Sequence, residues 1–499
     1  MPRRSLRPPG RTPGGGAAAA GARSRDLTLH VFLADRPGSL LVGQLAQRGH
    51  EIAFRYDPTF VATGLDLSPL GLPRRLDWLQ ERSRVFDGLH GVFADSLPDG
   101  WGLRLMDREF ARLGIEPATV TPVERLRFVG ARAMGALVYQ PALGPDADPS
   151  PLDLDALADQ AERLYEGSPE DVLPELLAAG GSPAGARPKV LVAYNADTGA
   201  MRSGAEDVPA GYRHYLVKFP TREDGEDIGA LEMAYAAMAR DAGLDMPPTR
   251  LFTTRAGRRC FGVERFDRVP VGAEPAGAGG GPVAHERRHV HTLGGLLHAS
   301  HREFGCTYGE YLRSTAALTR DRREVLEAFR RMVFNVAASN RDDHVKNFAF
   351  LLGPDGAWRL SPAYDLVYAA GPGGEHSMMV GTEGRRPTYR NLLEVAEPAG
   401  ITAAETGEIV TAVVDAVRRW PERAREFGVT RATAARVGAA VAASSAAALE
   451  GRPVVAGGVG VGDTTEAAAA DARVPNAGPV DDPSPPSKRA RSRAPRRAN

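Results

Sequence analysis

The sequence predicts an α+β chain in two lobes, with a small β-rich domain at its N-terminal end and an all-helical lobe at its C-terminal end. Three observations predict it. Apolar runs of strand length, bounded by turn residues, crowd the first 266 positions. Apolar residues at helical spacing dominate after position 284. An acidic, Pro-rich stretch and a Gly/Ala/Pro-rich stretch separate the parts.

In chain order, LTLHVFLA, SLLVGQLA and EIAFRY between Leu27 and Phe60 read as strands of a small antiparallel sheet. A helix follows LPDGWG, and GPDADPSPLD at 144–153 marks a boundary. Further strands fall near 189–194, 214–219, 249–254 and 260–266, with a helix at 228–242 between them. Segment 270–283 reads as a surface loop. Beyond it, Asp321 caps a helix whose Val325, Phe329, Met332, Val333 and Val336 share one face, and which delivers Ser339 to Asn347 as a loop. Alanine-rich helices run from Thr402 to Glu450. The expected segments are therefore tails at 1–25 and 451–499, and domains at 26–145, 150–268 and 284–450.

Composition sets the class. With 499 residues, 43% hydrophobic and 25% charged, the chain can bury the cores of two or three domains. No apolar run approaches the roughly 20 residues that cross a bilayer, and the alanines at 17–20 are too few for a secretory core. A soluble, cytoplasmic protein with no membrane partner is the expectation. Cys260 and Cys306 suit buried apolar positions and form no C-x-x-C. His289, His291, His298 and His301 lack a companion carboxylate or thiol in sequence and read as core or helix-surface residues, and Trp101 reads as a packing anchor. The net charge of zero conceals basic tails: 1–25 carry six arginines and 488–499 one lysine and five arginines. KRARSRAPRR suits salt-sensitive, non-specific contact with nucleic acid or with the acidic body of another copy. No helix-turn-helix pattern offers operator contact, so DNA would be met only indirectly or through these tails.

The chemistry concentrates in NRDDHVKN at 340–347 and SPAYD at 361–365. Asp342 precedes Asn347 by five positions, and Asp365 follows a short hairpin. Phosphoryl transfer needs one carboxylate to orient and deprotonate a hydroxyl and two hard oxygen donors for magnesium on the nucleotide phosphates; protein-kinase catalytic loops use this spacing. A D-x-x-x-x-N spacing also occurs in ordinary polar turns. The lysines strengthen the reading. Among 62 Lys and Arg residues only Lys189, Lys218, Lys346 and Lys488 are lysine. A lysine retained on such a background marks a place that needs a compact point charge. Lys218 lies in the apolar run HYLVKFP, where it needs a partner; Glu232 in the next helix is the candidate. Lys189 follows GGSPAGAR, whose glycines let backbone N–H groups approach an anion. The predicted fold is accordingly protein-kinase-like.

The segments FADSLPDGWG (93–102), SPAGARPK (182–189), YLVKFP (215–220), FGVERFDR (261–268), NRDDHVKNFAFL (340–351) and WRLSPAYDL (358–366), in this order, resemble the HipA family of bacterial serine/threonine kinases, the toxins of type II toxin–antitoxin pairs. The resemblance covers about residues 26 to 450. It implies ATP and Mg2+ as cofactors, Asp342 as catalytic base, Asn347 and Asp365 as magnesium ligands and Lys218 as the phosphate-binding lysine. Ala184, Gly185, Ala186, Arg187 and Lys189 would cover the phosphates. Glu264, Arg265 and Phe266 would form the strand that meets the adenine, and His344 and Tyr364 would touch the nucleotide. Ser182 matches a serine that family members autophosphorylate to switch themselves off; Pro183 and Ala184 depart from the usual S-x-G-G-A-R-P-K. The implied partners are a protein substrate in translation and a HipB-like DNA-binding antitoxin. Two other readings use the same residues: a small-molecule kinase, and a nucleotide-binding corepressor or scaffold without catalysis.

Overall fold

Fifteen strands and a set of helices are laid out in the computed structural model, which describes residues 26–35, 39–144, 151–168, 172, 174–179, 185–204, 208–209, 211–270, 285–302 and 305–453. The expected tail at 1–25, residues 454–499 of the other tail, the loop at 270–283 beyond its first residue, and Ser182 and Ala184 lie outside the described residues.

The N-terminal runs form strands β1 (Leu27–Leu33), β2 (Leu40–Arg48) and β3 (Glu51–Tyr56). With β4 (Leu79–Gln80) and β5 (Leu137–Gln140) they make one antiparallel sheet in the order β4-β3-β2-β1-β5. Alternation does the work: Leu29, Val31 and Leu33 on β1 are fully buried while their neighbours face outward. The helix Gly100–Arg112 follows as expected.

The second sheet contains β6 (Lys189–Asn195), β7 (Met201–Ser203), β8 (Tyr212–Lys218), β9 (Thr249–Thr253) and β10 (Arg259–Glu264) in the order β7-β6-β8-β10-β9. Short β7 is the strand the sequence did not announce. The helix Ile228–Asp241 is apolar nearly all round and is correspondingly sandwiched. A small ladder, β11 (Arg268–Pro270) with β12 (His285–Arg287), leads into the C-terminal part.

The C-terminal lobe is mostly helical, with one correction. It is not all-helical: β13 (His289–Thr292), β14 (Ala349–Leu352) and β15 (Trp358–Leu360) form a three-stranded sheet. The β14–β15 pair is the hairpin expected before Asp365; β13 was masked by its four-residue length and two histidines. Helix Arg322–Ala337 has Asp321 as N-cap, its carboxylate accepting from Arg323 N–H at 2.8 Å, and the five residues predicted for its apolar face are all buried. Thr402 caps Ala403–Val417, and Trp420–Glu426 and Arg431–Leu449 complete the lobe.

Arg431–Leu449 also corrects the sequence reading of apolar length: its 19 residues are long and apolar enough to cross a membrane. Here Val437, Val441, Ala447 and Ala448 are buried in the helical core.

Two cores cross the expected domain boundary. One joins the first sheet to the C-terminal helices, from Leu29 and Phe54 to Phe329 and Val410. The other packs Trp101, Leu105, Phe110 and Phe128, from before position 145, against Leu157 and Leu164 and against Val190, Val217 and Phe252 of the second sheet. Cys260 is buried within it.

Candidate active site

The cleft begins with a pair of lysines on neighbouring strands. Lys189 on β6 stands directly opposite Lys218 on β8, a like-charge pairing that is unfavourable unless compensated. Compensation comes from two carboxylates. Lys218 Nζ donates to Glu232 Oε2 at 2.7 Å and to Asp365 Oδ1 at 2.5 Å. The Lys218 ammonium is buried, which would lower its pKa, but the charges of Asp365 and Glu232 outweigh that and raise it. Burial would raise the Asp365 carboxyl, yet Lys218 and Lys189 hold it well below the carboxylate range. Glu232, deeper still, is pushed up by burial despite Lys218. Burial lowers Lys189 to about 8, with Asp365 opposing that shift and Lys218 adding to it.

Asp365 holds this position with a left-handed backbone, φ 57°, a conformation costly for most non-glycine residues. The segment before it is fixed by Tyr364, whose hydroxyl donates to Lys346 O at 2.6 Å and whose ring packs against Phe266 with centroids 5.6 Å apart.

Opposite stands the loop after helix Arg322–Ala337. Ser339 turns the chain with φ 54°, and Asn340 forms a parallel bridge to Ala369. Within the DD doublet the two aspartates part. Asp343 is fully buried, accepting from Tyr308 Oη at 2.5 Å and Ser377 N–H at 2.7 Å, with His376 Nδ1 at 2.8 Å. Tyr308 in turn accepts from Asn335 Nδ2 at 3.0 Å. Asp342 therefore faces the cleft, its side chain 63% exposed and 3.8 Å from His344 Nε2. It still lies low enough that surrounding protein displaces water: burial raises its carboxyl, His344 opposes this, and Asp365 and Asp343 add to it. Asn347 Nδ2 donates to Asp342 O at 2.6 Å, which leaves Oδ1 as an oxygen donor.

The loop at 185–189 closes the cleft. Gly185 has φ +111°, a backbone conformation L side chains rarely adopt, so the position favours glycine, and the Lys189 ammonium occupies the space a Cβ would take. Arg187 donates to Asp224 Oδ1 at 2.9 Å and approaches Glu232 at 4.0 Å. Ala186 is exposed.

The structure thus brings Gly185, Arg187, Lys189, Lys218, Asp342, His344, Asn347, Phe266, Tyr364 and Asp365 around one cleft. It corrects Arg265. Strand β10 ends at Glu264, and the residues beyond it alternate in direction: Phe266 meets Tyr364, whereas the Arg265 side chain turns into the interior to a bidentate pair with Asp267 at 2.9 and 2.7 Å. Glu264 pairs with Arg213 at 3.4 Å. Sequence reasoning missed Asp343, Asp224 and Asp99; the doubled aspartate was a usable signal for the first. His289 and His291 are core residues, holding Leu67 O and Asp95 at 3.0 and 2.6 Å.

His344 Nδ1 is buried with no hydrogen-bond partner among the described residues, and its Nε2 lies 3.8 Å from Asp342, so the ring has an unused polar atom. No cluster of three or more His, Cys, Asp or Glu side chains fit for a metal occurs among the described residues. Asp365 and the Asn347 oxygen supply two hard donors, which suits magnesium, an ion that takes few protein ligands and fills its sphere with phosphate and water.

Comparison with known proteins places the chain. Residues 29–140 match the HipA N-terminal domain and residues 181–421 the HipA-like C-terminal domain, together well over half the sequence. The chain belongs to the HipA family. It is similar to the Sinorhizobium fredii protein named "Putative kinase Y4dM", 24% identical over 288 residues, covering 55% of this chain and 61% of that one. The matched stretch is therefore under two thirds of that relative's length. Among solved structures, HipA of Shewanella oneidensis MR-1, in a toxin–antitoxin complex with HipB and operator DNA, superposes with a TM-score of 0.59 at 20% identity, covering 84% of this chain and 96% of that one. That likeness establishes the two-lobed fold.

Proposed function

We propose that this HipA-family chain is an ATP-dependent serine/threonine protein kinase acting on a translation component. The observation that carries the reading is Lys218 held between Glu232 and Asp365 at 2.7 and 2.5 Å, on the wall facing Asp342 and Asn347. A buried ammonium between two carboxylates has little structural rationale where one apolar side chain would pack as well. It makes sense as a fixed charge for phosphates.

In this reading Lys218 and Lys189 attract the nucleotide phosphates, and Arg187 with the backbone N–H groups of 185–189 covers them. Phe266 and Tyr364 form the apolar wall for the base, and His344 supplies a ring nitrogen to the nucleotide. Magnesium, held by Asn347 and Asp365, would screen the phosphate charge. Asp342 accepts the proton of the substrate hydroxyl; its raised pKa makes it a better base than an ordinary aspartate. The fold shared with a HipA seen bound to HipB and operator DNA supports proposing a HipB-like antitoxin as partner, with DNA reached through it. Ser182 remains the proposed autophosphorylation site on sequence grounds.

The test is transfer of radiolabel from ATP to proteins of a cell lysate. Asp342→Asn should lower transfer about 10²–10⁴-fold while nucleotide still binds. Full transfer by that variant would remove Asp342 from the role of base. Turnover of metabolites with no labelled protein would favour a small-molecule kinase, and binding without any transfer a scaffold.

A further inference from the structure

The segment Asp99-Gly100-Trp101 belongs to the N-terminal domain match, yet it sits against the phosphate-covering loop. Asp99 is the N-cap of helix Gly100–Arg112, and an aspartate there ordinarily accepts an N–H from its own helix. This one makes no such bond. One carboxylate oxygen accepts the Gly185 backbone N–H, and the other accepts Lys346 Nζ at 2.8 Å. Lys346 lies in the loop between Asp342 and Asn347. Trp101 adds two bonds, its N–H to Gly185 O at 3.0 Å and its indole N–H to Lys189 O at 3.1 Å. Gly100, with φ +45°, lets the chains touch: a Cβ there would fall 2.5 Å from Gly185 O and 2.7 Å from Ala186 Cα.

We infer that Asp99 is a positioning residue that ties the phosphate loop to the catalytic loop, so that the N-terminal domain completes the nucleotide site. The inference rests on the kinase reading above. Asp99 relinquishes a helix cap, a local cost, and spends both oxygens on the two loops instead. Backbone bonds at Gly185 and Lys189 add to the Arg187–Asp224 pair in holding this glycine-containing loop. A loop released from this hold would spend only part of its time in the binding shape, and apparent nucleotide affinity falls by that fraction while the bound state, once formed, is unchanged.

The experiment compares full-length wild type, Asp99→Ala and Asp99→Asn by KM for ATP, kcat, thermal midpoint, and amide hydrogen exchange of 185–189 without nucleotide. Asp99→Ala should raise KM about 10-fold or more, leave kcat within about threefold, and speed exchange at 185–189 with the thermal midpoint nearly kept. Asp99→Asn should fall between, because its side-chain oxygen still accepts the Gly185 N–H. Unchanged KM and exchange in Asp99→Ala would overturn the inference, as would a fall in kcat and thermal midpoint with KM unchanged, or an Asn variant as impaired as the Ala variant. If wild type binds no nucleotide, the kinase reading fails, and exchange at 185–189 alone decides: faster in Asp99→Ala supports the tether, unchanged overturns it.

Discussion

Replacing Lys218 with methionine is the sharpest perturbation of the site, because it removes one charge that two carboxylates share. Glu232 is 3% exposed and would be left with Arg187 at 4.0 Å; Asp365 would keep the more distant attraction of Lys189, His344 and Arg187. Breaking a buried pair by deleting one partner costs about 3–5 kcal/mol. Asp365 is 32% exposed at its side chain and part of its charge is relieved by water, so the lower end, about 3 kcal/mol, is expected. The pH window follows from the signs. Asp365 has a folded pKa below its ordinary 3.8, so its contribution is present above that value and lost as pH falls through the folded one. Lys218 has a folded pKa above 10.5, so its contribution is present below 10.5 and lost as pH rises beyond the folded value. The stability gap between wild type and Lys218→Met, measured by urea unfolding, should therefore shrink in acid as Asp365 is protonated. Label transfer should fall about 10²–10³-fold, the cost of removing one fixed donor at developing charge. A variant equal to wild type in both assays would refute the reasoning, since neither the burial nor the phosphate role could then hold.

Three further outcomes follow from the same structure. Lys189, lowered to about 8 by burial, is cationic below that pH and neutral above it, so binding of a fluorescent ATP analogue should weaken as pH rises through about 8, and a flat profile would exclude Lys189 from the phosphate site. Asp267 lies between Arg265 and Arg268, 2.7 and 2.8 Å away, with all three buried; Asp267→Asn should destabilise by about 3–5 kcal/mol in chemical denaturation, and a loss under about 1 kcal/mol would contradict the buried-pair account. Asp343→Ala should reduce label transfer about 10²-fold with nucleotide binding kept, because it frees the loop that aims Asp342; equal transfer would show that the loop holds without its buried anchor.

Much of this was legible in the sequence, for identifiable reasons. Strands β1 and β3 alternate cleanly, and helix Arg322–Ala337 has an Asp cap with a strict apolar face, so period and cap agree. What stayed hidden depends on three-dimensional pairing. Strands β7 and β13, with three and four residues, are too short to show a period. Arg265 sits in a motif where resemblance suggests a nucleotide contact, but side-chain alternation beyond β10 turns it inward to Asp267. Asp99 reads in sequence as a plain N-cap, and only the fold shows that its oxygens serve loops 86 and 247 positions away. The expected boundary near 144–153 was drawn from composition, whereas burial ignores it: Trp101 and Phe128 share a core with Val190 and Val217.

The lysines join these two kinds of information. On a background that is almost all arginine, three of four lysines lie in one cleft, and each occupies a place a guanidinium would fill badly. Lys189 Nζ rests against Gly185, where a planar fork would meet the loop backbone. Lys218 Nζ fits between two carboxylates at 2.7 and 2.5 Å, a gap suited to a single nitrogen. Lys346 reaches one Asp99 oxygen while the other holds Gly185. Sequence bias alone says only that these positions resisted arginine. Geometry says why: three compact cations, each paired with an aspartate or glutamate or set against a glycine, can be packed within one cleft, where three wider planar forks would each need in-plane acceptors and more room.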